Sequence, residues 1–159
     1  MGSTLIVGLG NTLMTDEGVG VHVAEVLGAR LGDMQDVEVN PLGTGGMRLL
    51  HLLKGHERLI VVDCAKMGTA PGTLRRFTPD EVRTLKVNLR YSLHEADVLS
   101  ILELAERLGE APRDVVLFGV EPERVEHGEA LSVPLQAAFD DYVNAVAAEV
   151  EGKKNNGKS

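Results

Sequence analysis

Two adjacent carboxylates, Asp16 and Glu17, end the glycine-punctuated loop in the stretch LIVGLGNTLMTDEGVGV (Leu5 to Val21), where an apolar strand runs to the mouth of a helix. A third, Asp63, ends the apolar run LIVVD. Carboxylates at the C-terminal ends of parallel strands lie where open α/β sheets keep their binding crevices. An ionised Asp at the end of a buried strand is costly unless it is solvated or paired. His94 stands in SLHEADVL, one or two residues inside a helix that Ser92 and Glu95 open as a capping box. The helix dipole disfavours an imidazolium there, so His94 stays neutral, a metal ligand or a proton acceptor. Taken together, Glu17, Asp63 and His94 each fall at a strand end or helix start on the cleft side. Two carboxylates and an imidazole without thiolate suit a divalent transition metal such as nickel, zinc or manganese. Three protein ligands leave coordination positions open. Each residue also has a plainer reading: Asp16 and Glu17 as a helix start with Asp16 as its N-cap, Asp63 as the cap of the next turn, His94 as a solvated first-turn residue.

Other chemistries fit less well. The dinucleotide fingerprint G-x-G-x-x-G fails, because Leu13 stands where the third glycine belongs, and the second strand, VEVNP, lacks the acidic end that a ribose needs. Cys64 follows Asp63, but no neighbouring motif supplies the base or positive field of a reactive thiolate, so it reads as a small core residue. No G-x-S-x-G elbow occurs. His22, His51, His56 and His127 read as structural or solvated.

The elements that must position these groups alternate along the chain. Strands are expected at Thr4 to Gly8, Asp36 to Asn40, Arg58 to Asp63, Thr73 to Phe77 and Val115 to Val120. The runs LIVV and VVLF are continuously apolar, as in strands buried on both faces. Helices are expected from Val19 to Leu31 with Gly32 as the stop, from Met47 to Lys54, from the Ser92 cap to Gly109, and from Val133 to Val150. The alternation predicts a three-layer α/β domain, a twisted, mostly parallel sheet between helices, over residues 1–151. The polar end GKKNNGKS, residues 152–159, reads as a frayed tail.

Charge and composition remove whole classes of function. A net charge of −8 repels phosphate backbones, and aromatics at 3% leave few stacking platforms, so nucleic acid is not an expected partner. No apolar run reaches the roughly 18 residues of a membrane span, and no signal peptide is visible. The single cysteine excludes an internal disulfide and fits a reducing cytoplasm. Nothing demands more than a monomer.

Five segments, in order, resemble the hydrogenase maturation proteases, the endopeptidases that trim the C-terminal extension from the large subunit of nickel–iron hydrogenases. GLGNTLMTDEGVGVHVAEVL resembles the family signature G-x-G-N-x-L-x-x-D-(D/E)-G-x-G. GTGGMRLLHLL is similar to its second glycine-rich segment, LIVVDCA to its Asp-ended strand, SLHEADVLSILELAERLG to its His-bearing helix and LFGVEPE to its last strand. The resemblance implies a phosphorylase/hydrolase-like mixed sheet and a peptidase role. It places the metal-contacting groups on Glu17, Asp63 and His94, as catalytic and metal-recognising residues. It further implies that nickel arrives with the substrate, the hydrogenase large-subunit precursor, so that only a loaded subunit is cut. One departure stands out: Pro41 occupies the place where the family commonly carries an Asp before its second glycine segment, in the run Asn40-Pro41-Leu42-Gly43-Thr44.

Two competing readings remain. A peptidyl-tRNA hydrolase-like esterase also opens on strand–GLGN, but it expects a histidine shortly after the loop and a basic surface. The charge of −8 and the valine-rich helix around His22 count against it. A non-catalytic chaperone that checks nickel loading without cutting is the other, and Pro41 keeps it open.

Overall fold

The computed structural model describes residues 3–44, 46–85 and 98–156. Five strands form one sheet: β1 (Thr4–Leu9), β2 (Val37–Gly43), β3 (Arg58–Cys64), β4 (Leu74–Phe77) and β5 (Asp114–Val120), in the order β2-β1-β3-β5-β4. The first four in that order run parallel, and β4 joins β5 antiparallel, so the sheet is mixed. The helices are α1 (Val19–Leu31), α2 (Gly46–Leu53), α3 (Pro79–Leu85), α4 (Val98–Arg107) and α5 (Val133–Asn156).

Because strand side chains alternate in direction, each apolar strand feeds two cores. Leu5, Val7, Leu59, Val61 and Leu117 pack with Leu49 and Leu53 of α2 and Ile101 and Ala105 of α4. Ile6, Ile60, Val62, Val116 and Phe118 pack with Val23 and Leu27 of α1 and Tyr142 and Val146 of α5. Central β3 is buried along its whole length, which is why its sequence is a continuous apolar run. The three-layer α/β expectation therefore holds.

The differences are local. α3 was not anticipated, although Thr78-Pro79-Asp80-Glu81 carries a start signal. The Thr78 N–H donates to Glu81 Oε1 at 2.9 Å, the Glu81 N–H returns to Thr78 Oγ1 at 3.3 Å, and Pro79 holds the first helical position. α5 continues past Val150 to Asn156, into the stretch expected as tail. No proline interrupts its ladder there, and one glycine, Gly152, costs a helix only about 1 kcal/mol. The Ser92 cap and the first turn expected for the fourth helix lie outside the described residues. α4 ends as expected, with Gly109 at φ 72 just beyond it. Pro41 is accommodated because β2 is an edge strand, where a missing N–H breaks no inner ladder. Among the described residues no helix is long and apolar enough to cross a membrane.

Candidate active site

Two glycines let the first helix come down onto the strand ends. A Cβ on Gly20, in the first turn of α1, would lie 2.2 Å from the Val62 carbonyl oxygen and 2.6 Å from that of Leu9. A Cβ on Gly8 would lie 2.2 Å from the Gly20 carbonyl oxygen. With any side chain at either position the backbones must separate, and the turn just before α1 would lift away from β3. That turn, a 3-10 turn over Thr15–Gly18, is buried throughout and carries Glu17. Glu17 is 5% exposed and Asp63, at the end of β3, is 0% exposed. Glu17 Oε1 and Asp63 Oδ2 are both shielded from solvent. Asp63 Oδ1 accepts the N–H of Cys64 at 2.7 Å, within β3, while the turn after the strand is held from elsewhere, Ala65 N–H by Val120 O and Met67 N–H by Glu121.

Cys64 reports how closely the acids gather. Burial first, and then the negative charges of Asp63, Glu17, Asp16 and Glu121, push its thiol far above the ordinary cysteine range. Four carboxylates from three separate segments thus act on one buried sulfur. A thiol in that field stays protonated and is no nucleophile, as its sequence setting suggested.

Asp16 is not the helix cap. The residue in the N-cap position of α1 is Gly18, and no side chain caps the helix. The Asp16 carboxylate instead turns toward the chain after β5. Its Oδ2 accepts the N–H groups of Glu123 and Arg124, each at 2.9 Å, and the Ser132 hydroxyl at 2.7 Å. Its Oδ1 accepts the Ser132 N–H at 2.7 Å. Neighbouring Thr15 is held at φ 45, a left-handed conformation that β-branched residues rarely adopt. Its N–H donates to Gly128 O at 2.7 Å, its hydroxyl donates to Arg124 O at 2.7 Å, and Glu126 N–H donates to that hydroxyl at 3.1 Å. Glu121 does comparable work on the other side. Its Oε1 accepts from Met67 N–H, Thr69 N–H and Thr69 Oγ1, fixing the segment after β3.

Of the three residues expected to contact metal, Glu17 and Asp63 come to the same end of the sheet, and His94 lies outside the described residues. Among the described residues no group of three His, Cys, Asp or Glu side chains has the geometry of a metal site. His22 Nδ1 pairs with Glu25 at 3.3 Å, and His56 lies between Ser3 and Glu38. Asn40, beside Pro41, lines a cavity of about 250 Å³ with Leu42, Arg48, His51 and Leu52. The roles of Asp16, Thr15, Ser132 and Glu121 went unread, because their partners stand far away in sequence and no local pattern announces them.

A mixed α/β sheet whose carboxyl edge collects acidic side chains defines a cleft protein, and comparison with known proteins narrows it. The hydrogenase maturation protease family model matches residues 21–149. The hydrogenase expression/formation protein HoxM of Azotobacter vinelandii is 38% identical over 137 residues, covering 86% of this chain and 66% of that protein. The chain thus spans about two-thirds of the length of such relatives. The hydrogenase 2 maturation protease of Escherichia coli is 33% identical over 91% of this chain and 88% of its own. Among solved structures, the hydrogenase maturating endopeptidase HybD from E. coli superposes with a TM-score of 0.81 at 30% identity, covering 95% of this chain and 93% of that one. The chain belongs to the hydrogenase maturation protease family.

Proposed function

We propose that this chain is an endopeptidase that removes the C-terminal extension of a nickel–iron hydrogenase large-subunit precursor, and that it acts when nickel has been loaded. The observation that carries this reading is the burial of Glu17 and Asp63 together at the strand ends, in a chain of this family. Two carboxylates, joined by the imidazole of His94, are hard and borderline donors that suit nickel but form an incomplete shell. The metal belongs to the substrate: the precursor presents it, and Glu17, Asp63 and His94 complete its coordination. Affinity then depends on both halves being present, which makes loading a condition of docking. Nickel held there would supply a Lewis acid for the adjacent peptide carbonyl or for a water, and Glu17 or Asp63 is the residue placed to take the proton as base. The protonated Cys64 takes no part. The enzyme works as a monomer in the cytoplasm, where the precursor matures.

The test is to incubate the protein with matched nickel-free and nickel-loaded precursor and weigh the products. Loss of a C-terminal peptide from the loaded form alone is expected. Equal cutting of both forms overturns the nickel gate, and a stable complex without mass loss supports the loading-check chaperone instead.

A further inference from the structure

Thr15, Asp16 and Glu17 are consecutive, yet their side chains serve different neighbours. Thr15 and Asp16 hydrogen-bond the segment from Glu123 to Ser132, while Glu17, the next residue of the same buried turn, is the one read as a metal contact. We propose that Asp16, braced by Thr15, is a positioning residue for the reaction: a buried clamp that locks this segment to the 3-10 turn and so fixes the Glu17 carboxylate at the cleft.

Asp16 is fully buried, and its two oxygens take four hydrogen bonds, all from N–H or O–H donors of the distant segment. The backbone adds three more links: Asp16 N–H to Arg124 O at 3.2 Å, Thr15 N–H to Gly128 O at 2.7 Å, and Gly128 N–H to Leu13 O at 2.9 Å. Such a joint leaves the 3-10 turn little freedom to rotate. The strained φ of Thr15 has a use here, since it turns the chain so that residue 16 faces the segment. A helix cap needs one acceptor and tolerates Asn or Ser. An acceptor of four donors tolerates neither, because an amide nitrogen at either oxygen position meets at least one backbone N–H head-on, and a serine hydroxyl offers a single oxygen in place of two. Gly128 closes the joint, as a Cβ there would lie 3.0 Å from Thr15 Cγ2 at a φ of 152.

The inference rests on the reading of Glu17 as a metal-contacting carboxylate, so the experiment carries Glu17→Gln beside Asp16→Asn. Three quantities are read at a temperature well below the melting point of every variant. They are kcat and KM on loaded precursor, affinity for Ni2+ alone by calorimetry, and amide exchange in residues 13–18 and 123–132 against β1 and β3. Asp16→Asn is expected to speed exchange in the two clamped segments only. It should lower kcat and Ni2+ affinity by about 10–100-fold, as loss of an orienting partner does at metal sites, and raise KM on loaded precursor, since docking draws on the same contact. Thr15→Gly tolerates the φ but loses the hydroxyl, and should fall partway; Thr15→Ser restores the hydroxyl and should recover. If Asp16→Asn fails to fold, Ser132→Ala loosens the same joint by one bond and is held to the same readouts. Wild-type kcat and Ni2+ affinity in a clamp variant whose segments exchange faster overturn the proposal while leaving the site reading intact, provided Glu17→Gln is inactive. An active Glu17→Gln overturns the site reading itself, and the clamp with it.

Discussion

At the N-terminal end of β3, Arg58 donates to Asp114 at 3.1 Å, to the Glu149 carbonyl at 3.0 Å and to the Glu149 carboxylate, while Arg76 shares that carboxylate at 2.6 Å. At the other end of the same strand, the charges of Asp63, Glu17, Asp16 and Glu121 all bear on the buried Cys64 thiol. The two ends are separated by about 17 Å of strand. At the first, buried charge is matched by opposite charge. At the second, like charges accumulate, and the hydrogen bonds that hold Asp16 and Glu121 come from N–H and O–H groups. The first arrangement serves the folded state directly. The second crowds like charges at some cost in stability, as functional sites commonly do, and under the function proposed above those carboxylates await a positive centre.

This contrast predicts opposite responses to mutation. The largest effect should come at the acidic end. Asp63→Asn or Glu17→Gln should lower processing of loaded precursor by at least about 100-fold, the scale on which a metal-orienting group acts. Thermal unfolding of the same variants should be unchanged or raised, since neutralising one of several crowded carboxylates relieves repulsion. A fall in melting temperature as large as that of an Arg58 variant would erase the distinction.

Next comes the paired end. Arg58→Ala strips a buried cation from two carboxylates and should destabilise by about 3–5 kcal/mol in urea titration. Its kcat should stay close to wild type while the protein remains folded.

Acid should expose the same asymmetry more gently. Hydrogen bonding to Arg76, foremost, and the nearby charges of Arg76 and Arg58 hold the Glu149 carboxyl below its ordinary 4.5, against the opposing pull of burial. The unfolded chain therefore binds more protons than the folded one near and below that pH. The Glu149 contribution is fully present above pH 4.5 and is lost as pH falls through the lowered folded value. Urea midpoints from pH 6 to pH 3 should fall less steeply for Glu149→Gln than for wild type, and parallel curves would remove this pairing from the account.

Smallest of all should be Cys64→Ala, with processing within about twofold of wild type and a stability loss near 1 kcal/mol, as for a small core truncation. In the native protein the thiol should resist alkylation at pH 8 until denaturant is added. Rapid native labelling, or an inactive Cys64→Ala, would return the cysteine to the mechanism.

Much of this was legible along the chain, for physical reasons that differ from residue to residue. Continuous apolar runs flanked by turn residues disclosed β3 and β5, because burial on both faces leaves no room for polar alternation. Asp63 was visible because a charge ending such a run is costly enough to need a purpose. α3 was legible too and went unread, its capping box being short and exposed. Asp16 was misassigned as a cap, since Asp beside a helix start has the same local signature whatever its carboxylate meets.

The sequence alone determined the alternation of strands and helices and singled out the acids at 17 and 63, because each depends on side-chain volume or polarity within a few residues. Tertiary structure alone decided that Asp16 clamps a segment more than 100 residues away, that Glu121 secures the chain after β3, and that Arg58 is neutralised from α5. A hydrogen-bond acceptor has no sequence-local preference for its donor. Its partner is chosen when the sheet order brings distant loops to one edge, and that order is settled by the packing of two cores.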